Sequence, residues 1–200
     1  QALKTYLGND KHILSTNSAT SALTLCFKLL SSDGFDKTND VVLSCPLTCT
    51  ASNWSILAND MKIKWVDADT NTFMMDLDDL KRKLNERTKI ILFVHWGGTP
   101  FALDKLATIL DDHEKKYGFR PRVVEDAAHA FGAQLDTEDK IGGVTNSRNL
   151  VVFSFQAIKH LTTGEGGCIS FPYEDETMYK RAVKLRWFGI DRDNRGVVNG

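Results

Sequence analysis

Four places in this sequence set reactive or anion-binding side chains directly after an apolar run. They are Asn17-Ser18-Ala19-Thr20-Ser21 after ILST, His95-Trp96-Gly97-Gly98 after IILFV, Asp126-Ala127-Ala128-His129 after RVVE, and Ser154 to Lys159 after NLVVF. Lys159 is the most informative of these residues. Most lysines are solvated surface groups, but this one follows an apolar run and precedes the polar loop HLTTGEGG. A partly desolvated amine can form an imine with an aldehyde near neutral pH. Asp126, flanked by Val123, Val124, Ala127 and Ala128, is expected at the rim of a buried region, where an unpaired carboxylate is costly. It needs a cation, and two readings stand: the protonated ring nitrogen of a ligand, or a structural pairing with Arg122 or Arg148. The small residues from Asn17 to Ser21 let backbone N–H groups at a helix start approach an anion. The same residues also serve as ordinary helix caps. Ser154, at a strand end, would be a second ligand for that anion.

The elements that must hold these groups alternate between two periodicities. After ILST and its polar turn, Ala22, Leu23, Cys26, Phe27 and Leu30 recur at helical spacing. DVVLSC reads as a strand, Ala51 to Ala58 as a helix, KIKWVDA as a strand and Asp76 to Leu84 as a helix. KIILFVH is a strongly apolar strand, and Leu103 to Tyr117 is an amphipathic helix stopped at Gly118. RVVED, NLVVFSF and GGCISF supply three further strands before a helix over about Glu176 to Trp187. This alternation predicts an α/β fold, a mostly parallel sheet sandwiched by helices. Ligands of such sheets gather beyond the carboxyl ends of the strands, where all four chemical sites fall. The last ten residues, DRDNRGVVNG, read as mobile or dependent on another segment.

Composition narrows the function classes. Two hundred residues with 42% hydrophobic content suffice for one domain. A net charge of −1 without a long basic run argues against nucleic acid as a partner. No run approaches the roughly 20 apolar residues that a membrane span requires, and QALKTYLGNDKH has no apolar signal core. A soluble, cytoplasmic protein is expected. Cys26, Cys45, Cys49 and Cys168 are read as thiols of a reducing compartment. Cys45 and Cys49 could form half a metal site, but no second Cys or His pair lies nearby, so no metal is expected.

Taken in order, NSATSAL, CPLTCTAS, VDAD, FVHWGG, VEDAAHAFGA and SFQAIKHLTTGEGG resemble the DegT/DnrJ/EryC1/StrS family of sugar aminotransferases. These segments span about residues 13 to 170. The resemblance implies the large domain of the type I fold of enzymes that use pyridoxal 5'-phosphate. It implies that Lys159 carries the cofactor as a Schiff base and moves a proton between substrate and cofactor, while Asp126 keeps the pyridine nitrogen protonated. His129 falls where the family places a Gln or His near the ring hydroxyl. Ala19, Thr20 and Ser154 match phosphate contacts. Cys49 stands where the family often has an aromatic residue stacked on the ring, and is assigned as a cofactor contact.

The same resemblance implies a reaction and its partners. An amino donor, glutamate, leaves its amine on the cofactor, and a keto group of a nucleotide-linked deoxysugar accepts it, in a pathway such as polysaccharide biosynthesis. Related sugar dehydratases carry His at the position of Lys159, which favours transamination. A third reading is a non-catalytic protein that keeps the fold. Trp96 either lines the sugar pocket or packs in the core. Arg186, Arg192 and Arg195 either approach a nucleotide diphosphate or, for the last two, form a solvated tail. The family forms homodimers with shared active sites. Its members are longer, so residues 1–200 are expected to be the large domain, without the family's N-terminal segment and C-terminal small domain.

Overall fold

A computed structural model of the chain describes residues 2–7, 12–135, 139–143, 148–172 and 175–191. In chain order the described elements are α1 (Ala2–Tyr6), β1 (Ile13–Thr16), α2 (Ala19–Ser31), β2 (Val41–Ser44), α3 (Thr50–Leu57), β3 (Lys62–Trp65) and α4 (Leu77–Lys83). They continue with β4 (Thr88–Val94), a 3-10 turn (Trp96–Gly98), α5 (Leu103–Tyr117), β5 (Arg122–Asp126), β6 (Leu150–Ser154), β7 (Gly167–Ser170) and α6 (Glu176–Arg186). The seven strands form one sheet in the order β1-β7-β6-β5-β4-β2-β3. Strands β2 to β6 run parallel, and β7 lies antiparallel between β1 and β6. The sheet is mostly parallel, as the alternation predicts. The reversal at β7 has a simple cause: the β6–β7 connection contains no crossover helix, so the chain turns back.

Alternation along each strand divides the core into two sides. In β4, Ile90 and Leu92 face a cluster with Leu23, Phe27 and Ile56 from α2 and α3 and Met178 from α6. Ile91 and Phe93 face Leu80 of α4 and Leu106 and Leu110 of α5. A strand buried on both faces must be apolar over its buried length, hence the unbroken run IILFV. The amphipathic helices supply the covers.

Most predicted boundaries contract by one to three residues. KIKWVDA shortens to Lys62–Trp65 and NLVVFSF to Leu150–Ser154, the flanking residues passing into turns and site loops. Asp76 is one such cap, its side chain accepting the N–H of Asp79. The five-residue α1 has no counterpart in the sequence reading. Of the predicted mobile tail, only Asp191 falls among the described residues; Arg192 and Arg195 lie outside them.

The start of α2 is held over the sheet by a close backbone approach. Ser18 bridges to Gly166, and a Cβ on Gly167 would lie 2.6 Å from both the Ala19 nitrogen and the Ser18 carbonyl carbon. Only glycine permits that separation, and the obstructing atoms are backbone. Gly167→Ala is expected to force β7 and α2 apart and to cost on the order of 1–3 kcal/mol in denaturant unfolding. An unfolding midpoint equal to the parent's would contradict this account of the packing.

Candidate active site

The carboxyl ends of β2, β4, β5 and β6 and the start of α2 enclose a cavity of about 360 Å³. All seven residues singled out from the sequence line it: Ala19, Thr20, Cys49, Asp126, His129, Ser154 and Lys159. They come from four separate stretches of chain. The parallel sheet brings them together, since successive strands deliver their ends to one edge.

Asp126 is 4% exposed. Its Oδ2 accepts the Ser52 hydroxyl at 2.6 Å and its Oδ1 accepts the Ala128 N–H at 3.0 Å. Among the described residues no Lys, Arg or His nitrogen lies within 4.0 Å of it. The structural pairing considered from the sequence is absent: Arg122 instead bonds Asp175 at 2.9 Å. The carboxylate is held by neutral donors at the wall of the cavity that Lys159 also lines.

His129, one turn further along, has its Nδ1 buried without a hydrogen-bond partner among the described residues. Burial holds its pKa below the ordinary 6.5, and the nearby Lys159 lowers it further, while Asp126 opposes the shift. Trp96 lines the cavity with its ring centroid 5.4 Å from that of His129. The ring also packs against the cluster around Phe93, in line with the core-packing reading of Trp96.

At the far end Ser18 caps α2, its Oγ accepting the Ser21 N–H at 3.1 Å, and the helical ladder opens with the Ala22 N–H on the Ser18 carbonyl. The N–H groups of Ala19 and Thr20 are not used by that ladder, which leaves them for an anion. Ser154 is buried, and among the described residues its hydroxyl makes a single 3.5 Å contact, with the Gln156 N–H. Lys159 sits half-buried on the turn after β6, its N–H bonded to the Gln156 carbonyl at 2.9 Å. Cys49 is exposed at the start of α3, and its thiol does not cap that helix. Cys26, Cys45 and Cys168 are buried free thiols.

Ser52 and Thr48 complete the site, and the sequence reading gave them no role. Ser52 meets Asp126 across 74 positions of chain, and Thr48 lies 2.9 Å from Ser52. No local spacing marks such a pair. Arg186 lies elsewhere, bonding the Ser15 carbonyl at 2.9 Å beside a second cleft of about 990 Å³ that shares Thr20 with the first.

Two outcomes follow. The folded chain binds fewer protons at His129 than the unfolded chain just below pH 6.5, so this group's contribution is complete above 6.5 and is lost as the pH falls through its folded value. An NMR titration is expected to place the His129 midpoint below 6.5; a midpoint of 6.5 would remove the contribution and one above 6.5 would reverse its sign. Ser52→Ala leaves a buried carboxylate oxygen without its hydroxyl donor and is expected to cost about 1–3 kcal/mol in denaturant unfolding. A cost near zero would show that another donor replaces it.

Comparison with known proteins bears on what this cavity belongs to. The model of the DegT/DnrJ/EryC1/StrS aminotransferase family matches residues 1–199. Among solved structures, AtS13 from Actinomadura melliaura is 46% identical with a TM-score of 0.88, over 98% of this chain and 51% of its own. The sugar aminotransferase CalS13 from Micromonospora echinospora is 40% identical with a TM-score of 0.86, over 96% and 49%. Spr1654 from Streptococcus pneumoniae, solved in its PLP-form, is 28% identical with a TM-score of 0.75, over 92% and 49%. The present chain thus spans about half the length of each. By sequence and by fold, it belongs to the DegT/DnrJ/EryC1/StrS aminotransferase family.

Proposed function

We propose that the chain is the cofactor-binding large domain of a pyridoxal-phosphate-dependent sugar aminotransferase. The observation that carries this reading is the buried Asp126 carboxylate, which faces the same cavity as the Lys159 amine and lacks a cation within 4.0 Å among the described residues. The protonated ring nitrogen of pyridoxal phosphate is a cation of the required kind. Its ring hydroxyl would give the orphaned His129 Nδ1 a partner, and its phosphate suits the free N–H groups of Ala19 and Thr20 beside the Ser154 hydroxyl. The residues present fit the group.

When bound, the cofactor supplies the electron sink that amino transfer requires. The chain's residues supply attachment, orientation and proton control. Lys159 Nζ would be the covalent attachment point and the base that moves a proton to and from the reacting carbon. Asp126 Oδ1 and Oδ2, fixed by Ala128 and Ser52, hold a proton on the ring nitrogen. His129 Nδ1 fixes the ring hydroxyl, while Cys49 and Trp96 bound the space around the ring. In this reading the amino donor is glutamate and the acceptor is a keto group on a nucleotide-linked deoxysugar. Lys28 and Arg186, in the adjoining 990 Å³ cleft, offer positive charge for a diphosphate.

The reading includes a homodimer with shared sites. Ile158 beside Lys159 is 81% exposed and Trp54 on α3 is 59% exposed; a second copy would cover such apolar surface. It also places the protein in the cytoplasm, where free thiols persist. Among the described residues no helix is long and apolar enough to cross a membrane.

The full-length protein mixed with pyridoxal phosphate is expected to show a visible absorbance band that borohydride abolishes, leaving a reduced adduct that maps to Lys159. Lys159→Ala is expected to lose that adduct and to slow amino transfer by at least about 10²–10⁴-fold. A folded, dimeric wild type that gives no adduct would sink the proposal.

A further inference from the structure

Strand β5 ends with two carboxylates that point to opposite faces of the sheet. Asp126 faces the cavity, whereas Glu125, fully buried, lies behind it. Glu125 Oε1 accepts the Asn149 side-chain amide at 2.6 Å, and Oε2 lies 2.9 Å from His95 Nε2. His95 is also fully buried, and its Nδ1 accepts the Phe101 N–H at 3.0 Å. An accepting Nδ1 carries no proton, so the ring proton sits on Nε2 and is donated to Glu125. The proposed chemistry uses none of these three side chains.

Their connections lead to the cavity wall. The His95 N–H bonds the Asp126 carbonyl at 3.0 Å, extending the β4–β5 ladder by one bond, while the His95 ring closes residues 95–101 into a loop through Phe101. That loop carries Trp96, which lines the cavity, and Gly98, whose φ of +86° suits glycine. A Cβ on Gly98 would lie 2.8 Å from the His129 carbonyl oxygen. The loop is thus the surface against which the His129 backbone rests. Its far anchor is the Asn149–Glu125–His95 chain on the other side of the sheet.

We propose that His95, Glu125 and Asn149 are positioning residues that set the orientation of His129 and Trp96 toward the ring-binding cavity from the opposite face of the sheet. An apolar filling of the same volume could stabilise the sheet as well, because buried polar chains are not a general source of stability. It could not fix direction. A carboxylate between two donors, with a histidine held in one tautomer, admits a single arrangement of the loop. The cofactor's identity rests on the proposed function above, but the positioning effect can be measured without cofactor.

The test uses full-length protein and four variants. Glu125→Gln replaces one acceptor oxygen by a donor and leaves either His95 or Asn149 facing an N–H. His95→Asn can still accept the Phe101 N–H but cannot reach Glu125. Gly98→Ala displaces the His129 wall directly and shows what a moved wall looks like. The primary readout is the His129 imidazole titration by NMR in cofactor-free protein. Pyridoxal phosphate affinity and the division of any rate loss between kcat and KM are measured alongside.

Glu125→Gln and His95→Asn are expected to shift the His129 midpoint in the same direction as Gly98→Ala. They are also expected to weaken cofactor binding roughly 10- to 100-fold, as loss of an outer partner does for metal ligands. A folded Glu125→Gln protein with an unchanged midpoint and unchanged affinity overturns the inference. If Glu125→Gln does not fold, Asn149→Ala, which removes a single donor at the end of the chain, is read by the same two criteria. A wild type without a Lys159 adduct removes the proposed function, while the titration still decides the positioning claim.

Discussion

A carboxylate held at 4% exposure in a setting of valines and alanines must be compensated. Hydrogen bonds from neutral groups meet only part of that requirement. At Asp126 the hydrogen bonds from within the described residues are one hydroxyl and one N–H, and no Lys, Arg or His nitrogen among those residues lies within 4.0 Å. The surrounding geometry follows from that constraint. Helix α3 must start where Ser52 can reach across, β5 must end at residue 126, and the turn after β6 must return Lys159 to the same cavity.

Parallel strands make this arrangement possible. Because β2, β4, β5 and β6 point the same way, their following loops meet at one edge, and a group at the end of each can share a ligand. The single antiparallel strand contributes differently. Strand β7 begins at Gly167, pressed against the Ala19 nitrogen, so the return of the chain after the Lys159 loop also locates the α2 terminus. One loop therefore links the candidate attachment residue to the candidate phosphate cradle.

The two faces of β5 are not independent. Alternation sends Asp126 to the cavity and Glu125 behind it, and the His95 bonds tie both residues to one loop. Close packing on the far side is then transmitted through a rigid strand rather than lost to adjustment. This arrangement also explains why polar side chains occupy positions that an apolar residue could fill.

The sequence by itself determined most of the element types, the mostly parallel sheet covered by helices, and seven of the residues that line the cavity. Those are properties of local periodicity and of motif order, both of which lie along the chain. It could not determine that Asp126 refuses both candidate arginines and takes Ser52, because that partner lies 74 positions away and carries no spacing signal. Nor could it show that the polar end of FVH points into the sheet's far side, with His95 meeting Glu125 and Trp96 turning to the cavity. Only tertiary structure decides such matters: hydrogen-bond partners and side-chain facing depend on how separate strands register against one another, and that register is set by packing across the sheet.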